Sequence, residues 1–303
     1  MSGAATWIAG IACVVAAWAT GGLVVALLGR RRTRAQERPA RVTVALRFAG
    51  VAGLCAAGLV TRGITSWGEA GWRPLESHAD GLLLVGLLLA AAATYLVAGP
   101  RLAVPGTLIG GVLTATLAWA VCATSFTDGR FRMDSLSPLW FTLHLGGVYI
   151  GTAAAAVAAG AGAAWLIAER RLKHRGAGWV EGLGRFASLE RLEALVRHAA
   201  IAGFVTLSIG LAAGLVISAN QPDLVGSFLS PKLLLSLAAY AAFVVAVFFG
   251  TGLGFRVAGE PRRGAWGSIL GFVLLLAVSA VATAWPGGGM GGTDGVLAAE
   301  AAR

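Results

Sequence analysis

His144 is the one histidine set inside a long apolar run, SPLWFTLHLGGVYIG from Ser137 to Gly151. A neutral imidazole is a common metal ligand and proton carrier. A titratable side chain at membrane depth is costly, and by default it marks a functional site. Two readings stand for His144: a metal ligand, or a core histidine bonded to a neighbouring helix. His78 precedes the third apolar run and is either an opposing ligand or a solvated loop residue. Arg62, Arg73, Arg130, Arg132 and Lys232 fall in or beside connections on the same end. They can neutralise an anionic ligand or serve as plain surface charge. Trp67 and Trp72 sit there too, where tryptophans commonly anchor a chain at the membrane edge.

Other chemistries lack their residues. The chain has neither a G-x-x-x-x-G-K-[ST] phosphate loop nor an H-E-x-x-H zinc motif. It also lacks C-x-x-C and C-x-x-C-H, so redox-dithiol and covalent c-haem chemistry are unsupported. Cys13, Cys55 and Cys122 lie within apolar runs as small hydrophobes, with a Cys55–Cys122 disulfide as the alternative for two of them. No file of carboxylates crosses the membrane as a proton pump needs, and no inverted repeat of the transporter kind is visible.

The elements that must position His144 follow from composition. Apolar residues make up 57% of the 303 positions and charged ones only 13%, half the share of an ordinary soluble domain, which is about 25%. The apolar residues fall into eight blocks: Ala5–Leu28, Val42–Val60, Gly81–Ala98, Val104–Ala123, Leu139–Ala168, Ala199–Ser218, Leu233–Leu253 and Ser268–Ala284. Each is near the ~20 residues that a helix needs to cross a bilayer core. None shows the two-residue alternation of a barrel strand. The fold class is therefore all-α, a polytopic bundle of about eight transmembrane helices.

Charge orients it. The connections on one side, with Arg47, hold eighteen basic and six acidic residues, against six and eight on the other. The positive-inside rule puts the basic side in the cytoplasm and both termini outside. The net charge of +10 is thus a topology signal, and nucleic acid is not an expected partner. No basic region precedes the first block, which reads as a retained helix and not a cleaved signal.

Residues 1–286 read as a single transmembrane domain, followed by a Gly-rich, flexible C-terminal tail at 287–303. Within the domain, about 178–198 forms an amphipathic helix carrying Trp179, Leu183, Phe186, Leu189, Leu192 and Val196 at helical spacing. It either lies in the inner interface against anionic membrane lipids or docks on the bundle. His174 and His198 belong to this cytoplasmic side.

Pro138 opens the fifth helix, since proline at the first helical position loses no intrahelical bond. His144 then lies six residues in, about 9 Å down the axis and just below the outer surface. Gly147, Gly151 and Ala155 share a face. Such a stripe admits either a closely packed helix or a flat ligand beside the imidazole.

Several stretches resemble the cytochrome c assembly protein family. Gly71, Pro74, Leu75 and Glu76 follow Arg62 in a loose form of that family's R-x-x-x-G-x-x-P-L-x-x-x-x-E segment. Leu143, His144 and Gly151 match its L-H-x-x-x-x-x-x-G helix, which ends here in Glu169-Arg170-Arg171-Leu172-Lys173. Leu189-Glu190-Arg191 leads into Gly203-Phe204, Leu207, Gly210 and Gly214, as in its next helix, and Pro231-Lys232 remain of a D-P-K-E segment. The chain departs from the haem-attaching members. Ser230 and Leu233 replace the acids of that segment, and Phe228 is the one aromatic in VGSFLSPK. Phe248 and Phe249 stand where a late histidine would, and no histidine lies near Trp285. These departures bring the chain nearer the HemX-like branch.

The resemblance implies a bacterial cytoplasmic-membrane protein, multi-pass, that handles haem at the outer face during cytochrome c maturation. It would be a binding or transfer subunit and not a self-sufficient synthetase. The cofactor would be a non-covalent, b-type haem. His144 is the one histidine that matches a family ligand. His78 is the candidate for the opposite axial position, as the other outer histidine. Arg73, Arg130, Arg132 and Lys232 would serve the propionates, beside Trp72. Partners would be membrane lipids, other cytochrome c maturation or respiratory membrane proteins, and apocytochrome c. The alternative is a non-catalytic HemX-like subunit that scaffolds a complex or regulates haem synthesis.

Overall fold

The computed structural model describes residues 3–28, 34–70, 75, 77–99, 103–126, 138–173, 188–219, 231–251 and 261–284. Among them there are eight helices and no strand. These are α1 (Gly3–Leu28), α2 (Arg34–Ala70), α3 (His78–Ala98), α4 (Ala103–Phe126), α5 (Pro138–Lys173), α6 (Leu189–Ala219), α7 (Pro231–Thr251) and α8 (Pro261–Ala284). Each contains one of the eight apolar blocks, apart from the last residues of the seventh, which lie outside the described residues. Three of the helices open on proline, at Pro138, Pro231 and Pro261. The fixed φ of proline favours that position and its missing N–H costs nothing there.

Among the described residues seven helices are long and apolar enough to cross a membrane, and α7 has a shorter apolar stretch, Ser236–Val245, within its 21 residues. Large apolar side chains such as Trp7, Val14, Val25 and Ile64 are exposed on the outside of the bundle. In water that would be unfavourable, and in hydrocarbon it is the expected surface. The chain is an all-α, multi-pass membrane protein.

The two longest helices run well past their apolar blocks. Helix α2 has 37 residues and α5 has 36, about 54–55 Å of helix against a hydrocarbon core of about 30 Å. Helix α2 continues through Arg62 to Ala70, so Arg62 and Trp67 are helical and not part of an outer connection. Helix α5 carries the Glu169–Lys173 run in its last turn. There Arg170, Arg171 and Lys173 meet the negative end of the helix dipole.

The segment read as an amphipathic helix is placed only in its second half. Residues 189–198 form the first turns of α6, continuous with the span, and 178–187 lie outside the described residues. Leu192 and Val196 are buried. Leu192 packs in a cluster with Ala164, Trp165, Leu166, Ala168 and Ala265. This face therefore docks on α5 and α8, while Arg191, Arg197 and His198 stay exposed.

The helices form two rings of four. In the first, α1 packs on α2, α2 on α3, α3 on α4, and α4 returns to α1. In the second, α5 packs on α6, α6 on α7, α7 on α8, and α8 returns to α5. Helix α5 joins the rings through its contacts with α3 and α4. It is accordingly the most enclosed of the seven spans, with alanines at 155, 156, 158, 161 and 164 fully buried.

Candidate functional site

The pairing of α5 with α6 is the most extensive among the described helices, and glycine makes it so. A Cβ built on Gly147 would lie 2.7 Å from the Cα and N of Gly210 and from the Thr206 carbonyl oxygen. One built on Gly151 would lie 2.5 Å from Leu207 Cγ. Backbone meets backbone here, at a distance no larger residue permits. The small-residue stripe is thus a helix-packing surface, occupied by α6.

His144 sits in this seam, one turn nearer the start of α5. Its Nδ1 lies 2.7 Å from the backbone carbonyl oxygen of Gly210 on α6. A carbonyl only accepts, so the proton of this bond is on Nδ1. In the neutral ring the Nε2 lone pair is then left for another partner. Gly214, one turn along α6, makes room for the ring, because a Cβ there would come within 2.8 Å of both Cε1 and Nδ1 of His144. The histidine is therefore bonded to a neighbouring helix, as one of its two readings holds. The bond is also the arrangement that orients metal-ligating histidines, which commonly donate their second N–H to a carbonyl. The ring is half-buried, and Trp140, one turn away at i−4 on the same face, is 40% exposed. This tryptophan was not among the residues that composition and spacing singled out.

A second polar group gathers where α2, α3 and α5 meet. Ser77 caps α3: the Asp80 N–H donates to Ser77 Oγ at 3.3 Å, and the Ser77 N–H donates to Asp80 Oδ2 at 3.0 Å. This is a capping box closed by aspartate. Arg62 reaches across from α2, its Nη2 donating to Ser77 Oγ at 2.8 Å and its Nε paired with Asp80. Asp80 is buried and within electrostatic reach of the Tyr149 hydroxyl on α5. The Tyr149 ring lies directly against Gly81, leaving no space for a side chain there. The chain reaches this cap through Leu75, whose φ of 63° is in the left-handed region that such residues seldom adopt.

Arg62 is therefore engaged in holding α3 to α2, and it is not a free cation for a ligand. His78 is the first residue of α3, and Lys232 the second of α7; the side chains of both lie outside the described residues, as do Arg73, Arg130, Arg132 and Trp72 altogether. The structure brings His144 to its seam and leaves the proposed ligand shell otherwise unassigned. No cluster of three His, Cys, Asp or Glu side chains able to hold a bare metal ion occurs among the described residues. A haem makes no such demand, since its macrocycle holds the iron and the protein adds only axial ligands. His144, with its Nδ1 engaged and Gly214 beside it, fits that role.

Comparison with known proteins gives one match. The family model described as Cytochrome C assembly protein matches residues 75–281, the stretch from Leu75 through most of α8. No curated protein matches the chain, and no solved structure matches it.

Proposed function

Because the chain belongs to the cytochrome c assembly protein family and has its part in cytochrome c maturation, we propose that it binds haem non-covalently and presents it at the outer face. The observation that carries this reading is the 2.7 Å bond from His144 to the Gly210 carbonyl. It fixes the ring orientation and leaves Nε2 as the ligating atom. Bound haem would supply the iron centre that is destined for an apocytochrome.

The protein's own contribution is to hold that group. His144 would offer its Nε2 to the iron from a rigid helix pair, and Trp140, one turn away, would add an aromatic face. His78, at the start of α3, is the proposed opposite ligand, and Arg73, Arg130, Arg132, Lys232 and Trp72 complete the proposed site. The bacterial cytoplasmic membrane is the proposed location, with both termini outside. Proposed partners are an apocytochrome c and other maturation or respiratory membrane proteins.

The test is optical. Detergent-purified protein should show a Soret band that His144→Ala abolishes or shifts, while His198→Ala leaves it unchanged. A spectrum that survives His144→Ala would overturn the assignment.

One observation favours a second reading. The same His144–Gly210 bond also fastens α5 to α6, as a scaffold of the HemX-like kind would need. A colourless preparation that co-purifies with stoichiometric membrane partners would support that reading instead.

A further inference from the structure

The first ring carries a charge that the haem reading does not use. Arg47 lies on α2 within the span Arg41–Ile64, about 9 Å inside its first residue by helical rise. Its guanidinium carbon sits 3.6 Å from the ring centroid of Trp18 on α1. One turn further along α1, Gly22 forms a notch for it, since a Cβ there would come within 2.7 Å of Arg47 Nη1. The arginine is half-buried, its Nε is shielded from solvent with no hydrogen-bond acceptor among the described residues, and Trp18 is 59% exposed at the lipid-facing surface.

The ring's sequence places no carboxylate close to this charge. Helices α1 and α4 contain no Asp or Glu, and neither do the connections 29–33 and 99–102. Helix α3 has only Asp80, already paired with Arg62, and α2 has only Glu37 and Glu69. Glu37 is ten residues from Arg47, about 15 Å along the helix; Glu69 and Asp80 are at the other end, and Glu76 belongs to the connection that leads to Asp80. An uncompensated guanidinium at this depth is expensive. A guanidinium stacked on an aromatic face keeps its N–H edge free for in-plane, bidentate acceptance by a phosphate.

We propose that Arg47, Trp18 and Gly22 form a binding site for the phosphate of an anionic phospholipid, seated between α1 and α2 at the lipid-facing surface. The acceptor comes from the bilayer because the group opens onto it beside an exposed tryptophan. The arginine-rich connection between these helices raises the local concentration of anionic lipid at the same end. The site lies before residue 75, where the family match begins, and it does not depend on haem.

Native mass spectrometry of the full-length protein released from nanodiscs tests it. Discs of phosphatidylcholine with phosphatidylglycerol as the minor component should give wild-type protein that retains phosphatidylglycerol at least tenfold above its share. Arg47→Gln should lower that enrichment severalfold, and Arg47→Lys, which keeps charge without the planar fork, should fall between. Retention proportional to composition in the wild type would overturn the proposal, whatever the variants do. Enrichment unchanged in Arg47→Gln would also overturn it. Displacement of the lipid by millimolar inorganic phosphate would overturn the lipid source in favour of a soluble anion.

Discussion

His144 on α5 gives its Nδ1 proton to the main-chain carbonyl of Gly210 on α6, 2.7 Å away. A side chain that can ligate metal is thereby built into a helix seam, and its two ring nitrogens are separable by substitution. His144→Asn retains an N–H near the Nδ1 position and removes the Nε2 lone pair. We expect this variant to keep near wild-type thermal stability and to lose the Soret band. His144→Ala should lose both the band and about 1 kcal/mol of stability, the usual net worth of one hydrogen bond. A Soret band retained in His144→Asn counts against Nε2 ligation.

The seam itself should resist the smallest enlargement. Gly147→Ala sets a methyl 2.7 Å from Gly210 backbone atoms that cannot swing aside. Overpacking of this kind costs roughly 1–3 kcal/mol. Gly146→Ala is the matched control, because nothing lies within 4 Å of its Cβ. Thermal melts in detergent should separate the two by several degrees. Equal melting would mean that α5 and α6 are not packed this closely.

Gly214→Ala should act first on the orientation of His144 and cost the helix pair no more than the His144–Gly210 bond. Its methyl would meet the His144 ring at 2.8 Å, and a side chain can turn where a backbone cannot. The expected result is a folded protein with a shifted or weakened haem spectrum. A global loss of stability matching that of Gly147→Ala would contradict this.

The Arg62–Asp80 pair should show strong coupling. Its side chains are 20% and 10% exposed, so removing one partner should cost on the order of 2 kcal/mol, below the ~3–5 kcal/mol of a fully buried pair. Asp80→Ala also removes the capping interaction. The double variant Arg62→Ala with Asp80→Ala should then be much less destabilised than the sum of the two singles. Additive effects, read from denaturation midpoints, would show that the two charges act independently.

Orientation is checked by labelling. Cysteines introduced at Thr33 and Ala177 should stay unreactive toward an impermeant maleimide in intact cells and react after lysis. Labelling before lysis would reverse the inside–outside assignment.

The eight helices were legible in the sequence because each apolar block has the length that hydrocarbon demands. Their ends were less so. Nothing in a hydropathy reading says that Gly63–Ala70 continues α2, because a helix leaving the membrane needs no apolar residues to persist. His144 stood out as a titratable group in an apolar run. Its partner did not, since a carbonyl at Gly210 has no side-chain signature, and the empty side of Gly214 is visible only beside the ring it receives. The small-residue stripe left two readings open until α6 was seen to occupy it. Arg62 read as one outer cation among several because pairing with Asp80, eighteen positions on, is set by how α2 and α3 lie together. Arg47 was counted with the connections for its charge, and its place against Trp18 came only from the packing of α1 on α2.

The closure of α4 onto α1 bears on how the protein is made. Synthesis is directional, and the first ring has all its members before Pro138 leaves the ribosome. Helix α5 therefore emerges beside a finished surface formed by α3 and α4, which can serve as its template. The half that carries His144 comes last, so the first half assembles independently of that seam. A gene divided between residues 126 and 138 should accordingly give two polypeptides that reassociate in the membrane, the second finding its place on the first.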